Sequence, residues 1–387
     1  MHRDGRDLLG IHERHDTLAK MKIVVAFDKF KSSLTASRAC EIVRDTLRVA
    51  HPDWEIVLKP MADGGDGTAE VLQSVLGGEW IFQRVSGPLQ VMPANAKYVW
   101  IKERQWAVIE MATASGLVLL RPEHRNPLRT TTHGTGELIE AAAKRGAQKI
   151  LIGVGGSATV DGGVGVAMAL GWKFFAANGR RIGHGGGELA QIARIESPVH
   201  SKLPAIEVLS DVDNPLCGPQ GAARVFGPQK GATPEMVEQL EGGLCHLANV
   251  VKEQLGKDLA NTPGAGAAGG LGFGAMAFLD AKLVRGIDVI MSLNGFEEAL
   301  SGANWAITGE GCFDEQSTCG KVVAGVARAA KKSNVKVAVI AGISTNPKFE
   351  GVDVLLTLCR EGMPLSHSIA NAEKLLAEQT REFAARL

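Results

Sequence analysis

The fold class of this chain is predicted by Lys22-Ile-Val-Val-Ala-Phe27, a strand-like stretch directly after Met21 in which residues 23–27 are all apolar. Short apolar runs of this kind are typical of a buried strand. Thr35 then predicts the start of a helix. Apolar residues recur along that helix at helical spacing, at Ala39, Ile42, Val43 and Leu47. The chain therefore opens as a strand followed by a helix, and we interpret residues 1–20 as a disordered tag or upstream extension.

The same order repeats further along the chain. Glu55–Leu58 reads as a second strand, Thr68 is predicted to cap a second helix, and Gly77 is predicted to end it. Strand and helix alternate again near the end of the chain, with strands predicted at Trp305–Thr308, Val337–Ala341 and Val352–Leu358 and helices at Val322–Lys332 and through Leu375 and Phe383. This alternation is typical of a parallel sheet covered by helices on both faces.

The middle of the chain follows a different pattern. Short alternating strands at Trp80–Val85, Tyr98–Ile101 and Ala107–Ile109 predict an antiparallel patch. A helix at Thr135–Arg145 and a strand at Lys149–Val154 follow. We therefore predict an α/β fold with a doubly wound parallel sheet domain, made of residues 21–80 and 285–387. A second α/β domain, residues 81–284, is inserted into it, and a cleft lies between the two.

Composition excludes several classes of partner. The 387 residues are 45% hydrophobic, which is enough for more than one core. Lys plus Arg and Asp plus Glu are both 42, so the chain has no overall positive field to attract nucleic acid. No apolar run is long enough to predict a membrane span. The six cysteines form no CxxC pair, and we expect a reduced, cytoplasmic compartment.

The first glycine-rich loop, Ala62-Asp-Gly-Gly-Asp-Gly-Thr68, lies between a predicted strand and a predicted helix. Free N–H groups at such a junction attract anions, but Asp63 and Asp66 would repel a phosphate. The two carboxylates fit this position if Mg²⁺ lies between them and the phosphate, or if they bind the hydroxyls of a polyol. A third interpretation is that both residues only cap turns.

The second loop, Gly155-Gly-Ser-Ala-Thr-Val-Asp-Gly-Gly163, follows the strand that ends at Val154. Its backbone amides and hydroxyls predict a cradle for phosphate oxygens. Gly153, Gly155 and Ala158 also imitate the dinucleotide-binding pattern, but the next strand is not followed by the acid that would hold a ribose. A second imitation, Gly264 to Gly269, follows Thr262-Pro263 rather than a strand. A nucleotide-dependent oxidoreductase is therefore the rival interpretation.

Two further stretches supply charged candidates. Thr308-Gly-Glu-Gly311 is followed by Asp314, Ser317 and Lys321, just past a buried strand, where open α/β sheets bind ligands. Ser210-Asp-Val-Asp-Asn-Pro215 and the downstream Arg224 to Gly231 segment offer four polar or charged candidates, namely Asp211, Asn214, Arg224 and Lys230. The arginine and the lysine can hold a carboxylate or phosphate. For the first stretch the alternatives are a packing role and a Lys321 that is only solvated, and for the second stretch the alternative is an ordinary surface loop.

Nine motifs in one order closely resemble the type-1 glycerate kinase family from Met21 nearly to Leu387. They are Phe27-Asp-Lys-Phe-Lys31, ADGGDGT, Ser86-Gly-Pro88, Thr132-His-Gly-Thr-Gly-Glu137, GGSATVDGG, DVDNPL, FGPQKGA, PGAGAAGG and TGEG. The resemblance implies ATP-dependent phosphorylation of D-glycerate, at the 2-hydroxyl, with Mg²⁺. It also implies that the split parallel domain is flavodoxin-like. Phosphorylation of the 3-hydroxyl or of a related hydroxy acid, and a non-catalytic metabolite sensor, are the alternatives.

The resemblance also suggests roles for the charged residues. A phosphoryl transfer needs a metal, cationic groups around the phosphates, and often a carboxylate that accepts the hydroxyl proton. The expected catalytic residues are Asp63, Asp66, Asp211 and Asp314, and the expected Mg²⁺ ligands are Asp63 and Asp161. The residues expected to bind substrate or phosphate are Lys31, Gly155, Gly156, Ser157, Thr159, Asn214, Arg224, Lys230, Glu310 and Lys321.

The chain departs from the usual family pattern at four positions in these loops. Phe27 and Lys29 replace a proline and a serine, Val160 replaces an asparagine, and Cys312 replaces an arginine. Loss of the arginine is expected to weaken a phosphate contact, and Lys29 is a candidate for the compensating charge. The expected partners are ATP and D-glycerate, without nucleic acid or membrane, and a homodimer is left open.

Overall fold

The computed structural model describes residues 21–199, 202–314, 321–345 and 349–387. The predicted extension, residues 1–20, lies outside the described residues. The strands are β1 (Lys22–Phe27), β2 (Glu55–Leu58), β3 (Glu79–Ser86), β4 (Pro93–Ile101), β5 (Trp106–Glu110), β6 (Lys149–Gly153), β7 (Lys173–Phe175), β8 (Arg194–Glu196), β9 (Ala205–Leu209), β10 (Lys282–Val284), β11 (Trp305–Gly309), β12 (Cys312–Phe313), β13 (Lys336–Ala341), β14 (Ile343–Ser344) and β15 (Val354–Thr357).

The helices confirm most of the predicted positions, with shifts of one to three residues at the ends. They are α1 (Ala36–Ala50), α2 (Thr68–Leu76), α3 (Ala112–Ser115), α4 (His133–Lys144), α5 (Val164–Ala169), α6 (Ala222–Phe226), α7 (Pro234–Leu255), α8 (Ala267–Leu279), α9 (Gly286–Asn294), α10 (Phe296–Leu300), α11 (Val322–Lys332), α12 (Leu365–Ala370) and α13 (Ala372–Ala384). Within the described residues, no helix combines the length and the apolar character needed to cross a bilayer.

The first sheet is a five-stranded parallel sheet with the order β15-β13-β11-β1-β2. Numbered along the chain within this sheet, the order is 2-1-3-4-5, which is the flavodoxin-like order. The three late strands therefore complete the sheet that the first two strands begin. The predicted fold class is confirmed, and all five strands present their carboxyl ends at one edge.

The second sheet has six strands in the order β10-β9-β6-β5-β4-β3. The pairs β3–β4 and β4–β5 are antiparallel, as predicted for this part of the chain, and the pairs from β5 to β10 are parallel. The chain enters this sheet at Glu79 and leaves it at Val284. The exact domain boundaries stay a prediction.

The two sheets share a layer of helices. Alternate residues of β1 point to opposite faces, so that Val25 packs with the layer formed by α1 and α13, whereas Val24 packs with α2, α9 and α11. That same inner layer also contacts the second sheet through Val108 and Leu151. The outer face of the second sheet is covered by α4, α5, α7 and α8. The two halves are thus joined by one core, and the cleft is confined to the strand ends.

One predicted helix cap is wrong. Thr68 is the first residue of α2 rather than its cap, and the cap position is taken by Gly67 in the left-handed conformation, with φ of 91°. The Thr68 hydroxyl is buried and finds no hydrogen-bond partner among the described residues. Instead, the Glu110 carboxylate at the end of β5 accepts a hydrogen bond from the Ala69 nitrogen at 2.9 Å. A distant side chain has replaced the local cap.

Candidate active site

Asp28 follows β1 directly and lies at the carboxyl edge of the first sheet, between the ends of β11 and β2. Its backbone nitrogen donates to the carbonyl oxygen of Gly309, at 3.0 Å, which keeps the residue in line with β11. Its carboxylate accepts a hydrogen bond from the Lys29 nitrogen at 2.7 Å. Burial, followed by the charges of Asp63 and Glu310, raises the pKa of Asp28 well above its usual range. Two further carboxyl groups are therefore close enough to disfavour the ionisation of Asp28.

The loop after β2 supplies the second carboxylate. Asp63 accepts a hydrogen bond from the Gly65 nitrogen at 2.9 Å, which tightens the turn. Lys29 binds the next acidic residue twice, because its ammonium donates to the carbonyl oxygen of Asp66 and lies 3.4 Å from the Asp66 carboxylate. The predicted turn-capping role is therefore seen for Asp63, and a ligand-binding role for this loop stays a prediction.

The loop after β6 approaches the first glycine loop backbone to backbone. A Cβ atom on Gly155 would lie 2.5 Å from the Gly65 Cα, and one on Gly156 would lie 2.7 Å from an Asp66 carboxylate oxygen. The Gly65 backbone cannot give way to such an approach, so position 155 requires glycine, whereas position 156 favours glycine because its φ of 70° is left-handed. The glycines of the second loop allow the two sheets to present their loops side by side.

Glu310 and Lys321 complete this edge from the loop after β11. Glu310 is buried, with 7% of its surface exposed, and Lys321 stands at the start of α11. Asp314 lies farther out and is within 3.7 Å of the Cys312 sulfur, which donates to it. The predicted Ser317 lies outside the described residues.

Two adjoining cavities occupy the cleft. The smaller, of about 490 Å³, is lined among others by Asp28, Lys31, Asp63, Asp66, Gly155, Gly156, Glu310, Asp314 and Lys321. The larger, of about 1120 Å³, shares residues 28–33, Asp66 and Gly156 with it. Further lining residues of the larger cavity include Phe82, Lys97, Glu110, Arg125 and Gln229. The structure thus brings eight of the predicted site residues together around the smaller cavity, with Asp28 as an additional lining residue.

Asp161 lies in neither cavity. Its buried carboxylate accepts hydrogen bonds from the nitrogens of Thr132, Gly163 and Gly165 at 2.7, 3.2 and 3.2 Å. The hydroxyls of Thr131 and Thr132 also donate to it. Burial raises the pKa of Asp161, and these donors oppose that rise. The Asp161 oxygens are therefore occupied by internal donors, away from the cleft.

Lys230 is also buried away from both cavities. Its ammonium donates to the Ser157 hydroxyl at 2.8 Å and to the Thr159 carbonyl oxygen at 2.7 Å. Burial lowers the pKa of Lys230 to about 7, and the nearby Asp161 opposes that shift. Ser157 and Thr159 are themselves buried. These residues hold the second glycine loop in shape from behind, while Gly155 and Gly156 face the cleft.

The remaining predicted residues lie behind or beside the cleft. Asp211 accepts a hydrogen bond from the Ile287 nitrogen at 3.3 Å, and burial followed by the charge of Asp63 raises its pKa to about 8. Asn214 donates to the Gln220 carbonyl oxygen at 2.8 Å. Arg224 pairs with Glu238. None of these three side chains lines either cavity.

Two candidate functional residues were not predicted from the sequence. Asp28 stands directly after a buried strand, the same signal that selected the other loops, and lay inside a quoted motif without being assigned a role. Arg125 lines the larger cavity, and its Nε is buried without a hydrogen-bond partner among the described residues. Arg125 lies in an irregular connection with no motif around it, so the sequence offers no signal for it.

The donor set of the smaller cavity fits a hard divalent cation. Carboxylate oxygens are the protein ligands that Mg²⁺ prefers. Asp28, Asp63 and Glu310 follow three adjacent strands, and their mutual repulsion, seen in the raised pKa of Asp28, is relieved by a bound cation. The residues present therefore suit Mg²⁺ at this edge.

Comparisons with known proteins agree with this arrangement. Residues 23–387 match the Glycerate kinase family. The chain is 44% identical to a glycerate kinase of Halalkalibacterium halodurans, over 94% of this chain and 97% of that protein. It is 42% identical to the glycerate 2-kinase of Escherichia coli, over 95% and 98% of the two chains. A crystal structure described as glycerate kinase 2 from Salmonella typhimurium LT2 superposes with a TM-score of 0.82 at 41% identity, covering 95% of this chain and 98% of that one. From its strand order, its cleft and these relatives, the chain belongs to the glycerate kinase family of enzymes.

Proposed function

We propose that this enzyme transfers the γ-phosphoryl group of ATP to the 2-hydroxyl of D-glycerate, with Mg²⁺, in the two adjoining cavities. The observation that carries the proposal is the meeting of Asp28, Asp63 and Glu310 on one cavity that Lys31 and Lys321 also line. Phosphoryl transfer depends on positioning and on neutralising phosphate charge, and this cavity offers both anionic metal ligands and cations. The name of the Escherichia coli relative supports the 2-hydroxyl.

The two cavities suggest a division between the substrates. ATP requires the larger cavity, where Phe82 is 73% exposed on β3 and offers a flat apolar surface to a base. D-glycerate fits the smaller cavity, where Lys31 and Lys321 are available to its carboxylate. Residues 28–33 line both cavities, so the reacting groups would meet at this loop. Phe82→Ala is expected to raise KM for ATP more than KM for glycerate.

Asp28 is the best-placed base for the glycerate hydroxyl. It stands where the cavities join, and its raised pKa gives it a stronger affinity for a proton than an ordinary carboxylate has. Among the predicted catalytic residues, Asp66 is engaged by Lys29 and Asp211 lies behind Asp63. We therefore propose Asp28 as base, with Asp63 and Glu310 as Mg²⁺ ligands. Mg²⁺, when bound, would neutralise charge on the phosphate oxygens.

The backbone of the second glycine loop supports the phosphate end of the site. Gly155 and Gly156 line the smaller cavity with no side chain between the backbone and the cleft. Successive amide groups in such a turn can donate to phosphate oxygens. Lys230 and Asp161 act on this loop from its buried side, and we propose that they position it without touching substrate.

³¹P NMR of the purified protein with ATP, Mg²⁺ and D-glycerate tests the proposal directly. We expect a 2-phosphoglycerate signal that disappears when glycerate or Mg²⁺ is omitted. A 3-phosphoglycerate signal would still indicate a kinase, but with glycerate bound in the opposite orientation. Saturable binding of either substrate without product would replace the kinase by a metabolite sensor, and saturable NADH binding would favour the oxidoreductase. A cytoplasmic location and a homodimer stay predictions.

A further inference from the structure

A cluster of two thiols and one carboxyl group lies outside the cleft. Glu241 and Cys245 are four residues apart on α7 and therefore share one face of that helix. Cys217 faces them from the loop that follows β9. One ligand atom from each of the three residues lies within 4.8 Å of the other two. Among the residues that the structure describes, no other group of His, Cys, Asp or Glu side chains meets this spacing.

The Glu241 carboxylate provides a second, independent observation. Glu241 is 8% exposed, and its Oε1 accepts a hydrogen bond from the Gly218 nitrogen at 2.5 Å. Its Oε2 is buried and has no hydrogen-bond partner among the described residues. A buried carboxylate oxygen without a donor is costly. The Cys245 sulfur donates to Oε1 at 3.8 Å, so the carboxyl group already faces a thiol. A cation bound by this carboxylate and the two sulfur atoms would offset that cost.

From this geometry we propose that Cys217, Glu241 and Cys245 bind a thiophilic divalent cation of the Zn²⁺ type. Thiolate sulfur selects such ions over Mg²⁺ and Ca²⁺, which require oxygen ligands. Three protein ligands leave one position of a tetrahedral site for water. This site lies outside the predicted kinase machinery, since none of the three residues lines either cavity.

Charge balance supports the same ion. Two thiolates, one carboxylate and a divalent cation carry a net charge of about −1. Arg224, which also pairs with Glu238, lies beside the cluster with its Nε 4.0 Å from Glu241 Oε1 and offsets part of that charge. Burial raises the pKa of both thiols, so they are neutral in the metal-free protein and the ion must displace their protons. This opposes binding, and the three-ligand geometry has to outweigh it.

The expected structural effect is a clamp between α7 and the loop that carries Asp211 and Asn214. Cys217 lies six residues after Asp211 in that loop. Apart from the cluster, Asn214 is held by its hydrogen bond to the Gln220 carbonyl oxygen, and Leu216 by one to the Ala260 carbonyl oxygen. A bound ion would add a cross-link to α7, which packs in the outer layer of the second sheet.

Metal titration of the reduced full-length chain tests the site, with Co²⁺ as a spectroscopic probe and Zn²⁺ as competitor. We expect one Co²⁺ per chain, with sulfur-to-metal charge-transfer absorption that Zn²⁺ abolishes. Cys217→Ser and Cys245→Ser should each remove most of that absorption, and Glu241→Gln should weaken Co²⁺ binding about tenfold or more while keeping the sulfur bands. Cys359→Ser, a change at a half-buried cysteine elsewhere in the chain, is the matched control and should bind normally.

The readout does not depend on kinase activity, so it can fail while the proposed function holds. Absence of charge-transfer absorption in the folded parent protein would overturn the site. Unchanged absorption in Cys217→Ser and Cys245→Ser would also overturn it. A third outcome would overturn it as well: a Cys217–Cys245 disulfide forms in air, and the protein binds no Co²⁺ after that disulfide is reduced. Circular dichroism establishes that each variant is folded, and Glu241→Gln keeps the test open if either cysteine variant is not.

Discussion

The backbone nitrogen of Val154 donates a hydrogen bond to the carbonyl oxygen of Gly64, 3.0 Å away. The two residues belong to different sheets, since Gly64 follows β2 and Val154 follows β6. The bond joins the two glycine loops one residue before Gly65 and Gly155, which line the smaller cavity. The relative position of the two loops is therefore set by direct backbone contact, and it depends on the small size of the residues beside it.

Gly155→Ala is expected to disturb this contact. The added methyl group would lie 2.5 Å from the Gly65 Cα, so the two loops must move apart. We expect kcat/KM to fall about tenfold or more, because misplaced phosphate-binding groups lose transition-state contacts. Steady-state kinetics measure the fall in kcat/KM, and a thermal melt measures how the movement of the two loops affects stability.

The matched control for that change is Gly242→Ala on α7. A Cβ at Gly242 meets nothing within 4 Å, and alanine is the better helix former by about 1 kcal/mol. This variant should keep full activity and equal or higher stability. Normal kinetics in Gly155→Ala would contradict the view that loop contact fixes the site.

Asp28→Asn tests the proposed base. Removing a general base typically costs about 10²- to 10⁴-fold in rate, and we expect kcat to fall within that range. The melting temperature should stay level or rise, because burial and two neighbouring carboxylates already disfavour the charged form of Asp28. Asp53→Asn, at an exposed aspartate before β2, is the control. If kcat of Asp28→Asn stays within about threefold of the parent, another group accepts the proton.

Asp161→Asn distinguishes an internal role from a metal-binding role. In the variant, an NH₂ group replaces one carboxylate oxygen and faces backbone N–H groups, which are also donors. At least one buried N–H group therefore loses its acceptor. We expect the free energy of unfolding to fall by about 3 kcal/mol, measured by urea denaturation. The Mg²⁺ concentration that gives half-maximal activity should not change. Normal stability with a weakened Mg²⁺ response would instead restore Asp161 as a metal ligand. Asp45→Asn, at an exposed position on α1, should change neither quantity.

Asp211→Asn should alter how stability depends on pH. The pKa of Asp211 is raised to about 8, so between about 4 and 8 the unfolded chain is ionised while the folded chain keeps the proton. Ionisation of Asp211 therefore opposes folding. The loss of folding stability that it causes grows as pH rises through that window and becomes constant above it. In Mg²⁺-free buffer, the melting temperature of the variant minus that of the parent should increase from about pH 5 to about pH 8.

The control for the pH experiment is Asp213→Asn, at an exposed neighbour paired with Arg285. The melting temperature of this variant minus that of the parent should stay constant from about pH 5 to about pH 8. A flat difference for Asp211→Asn would contradict the raised pKa. The same variant also tests the sequence-based expectation that Asp211 is needed for most turnover.

Much of the fold could be predicted because its signals are local. The apolar run of β1, the hydroxyl of Thr35, which accepts from the Arg38 nitrogen at 3.3 Å, and the glycine at position 77 each act within a few residues. The prediction that Thr68 caps α2 failed. The Ala69 nitrogen at the start of this helix instead donates to the Glu110 carboxylate, 41 positions along the chain. A cap supplied from so far along the chain leaves no local pattern.

The candidate site divides in the same way. Loops that follow buried strands could be selected from the sequence, and Asp63, Asp66, Glu310 and the glycines at 155 and 156 do line the cleft. Lys230 and Asp161 have equally suitable side chains, yet they point into the protein and bind the loop from behind. Residue type and spacing predict which loops carry function, but not which side of a loop a side chain occupies.

By itself, the sequence determined the order of strands and helices, the split parallel sheet and the resemblance to a kinase family, because hydrophobic period and glycine placement act over short distances. Only the tertiary structure decided that Asp28 meets Asp63 and Glu310, that Arg125 reaches the larger cavity, and that Cys217 faces α7. These pairings join residues far apart in the chain. Their distances, burial and shifted pKa values exist only once the two sheets pack on their shared helices.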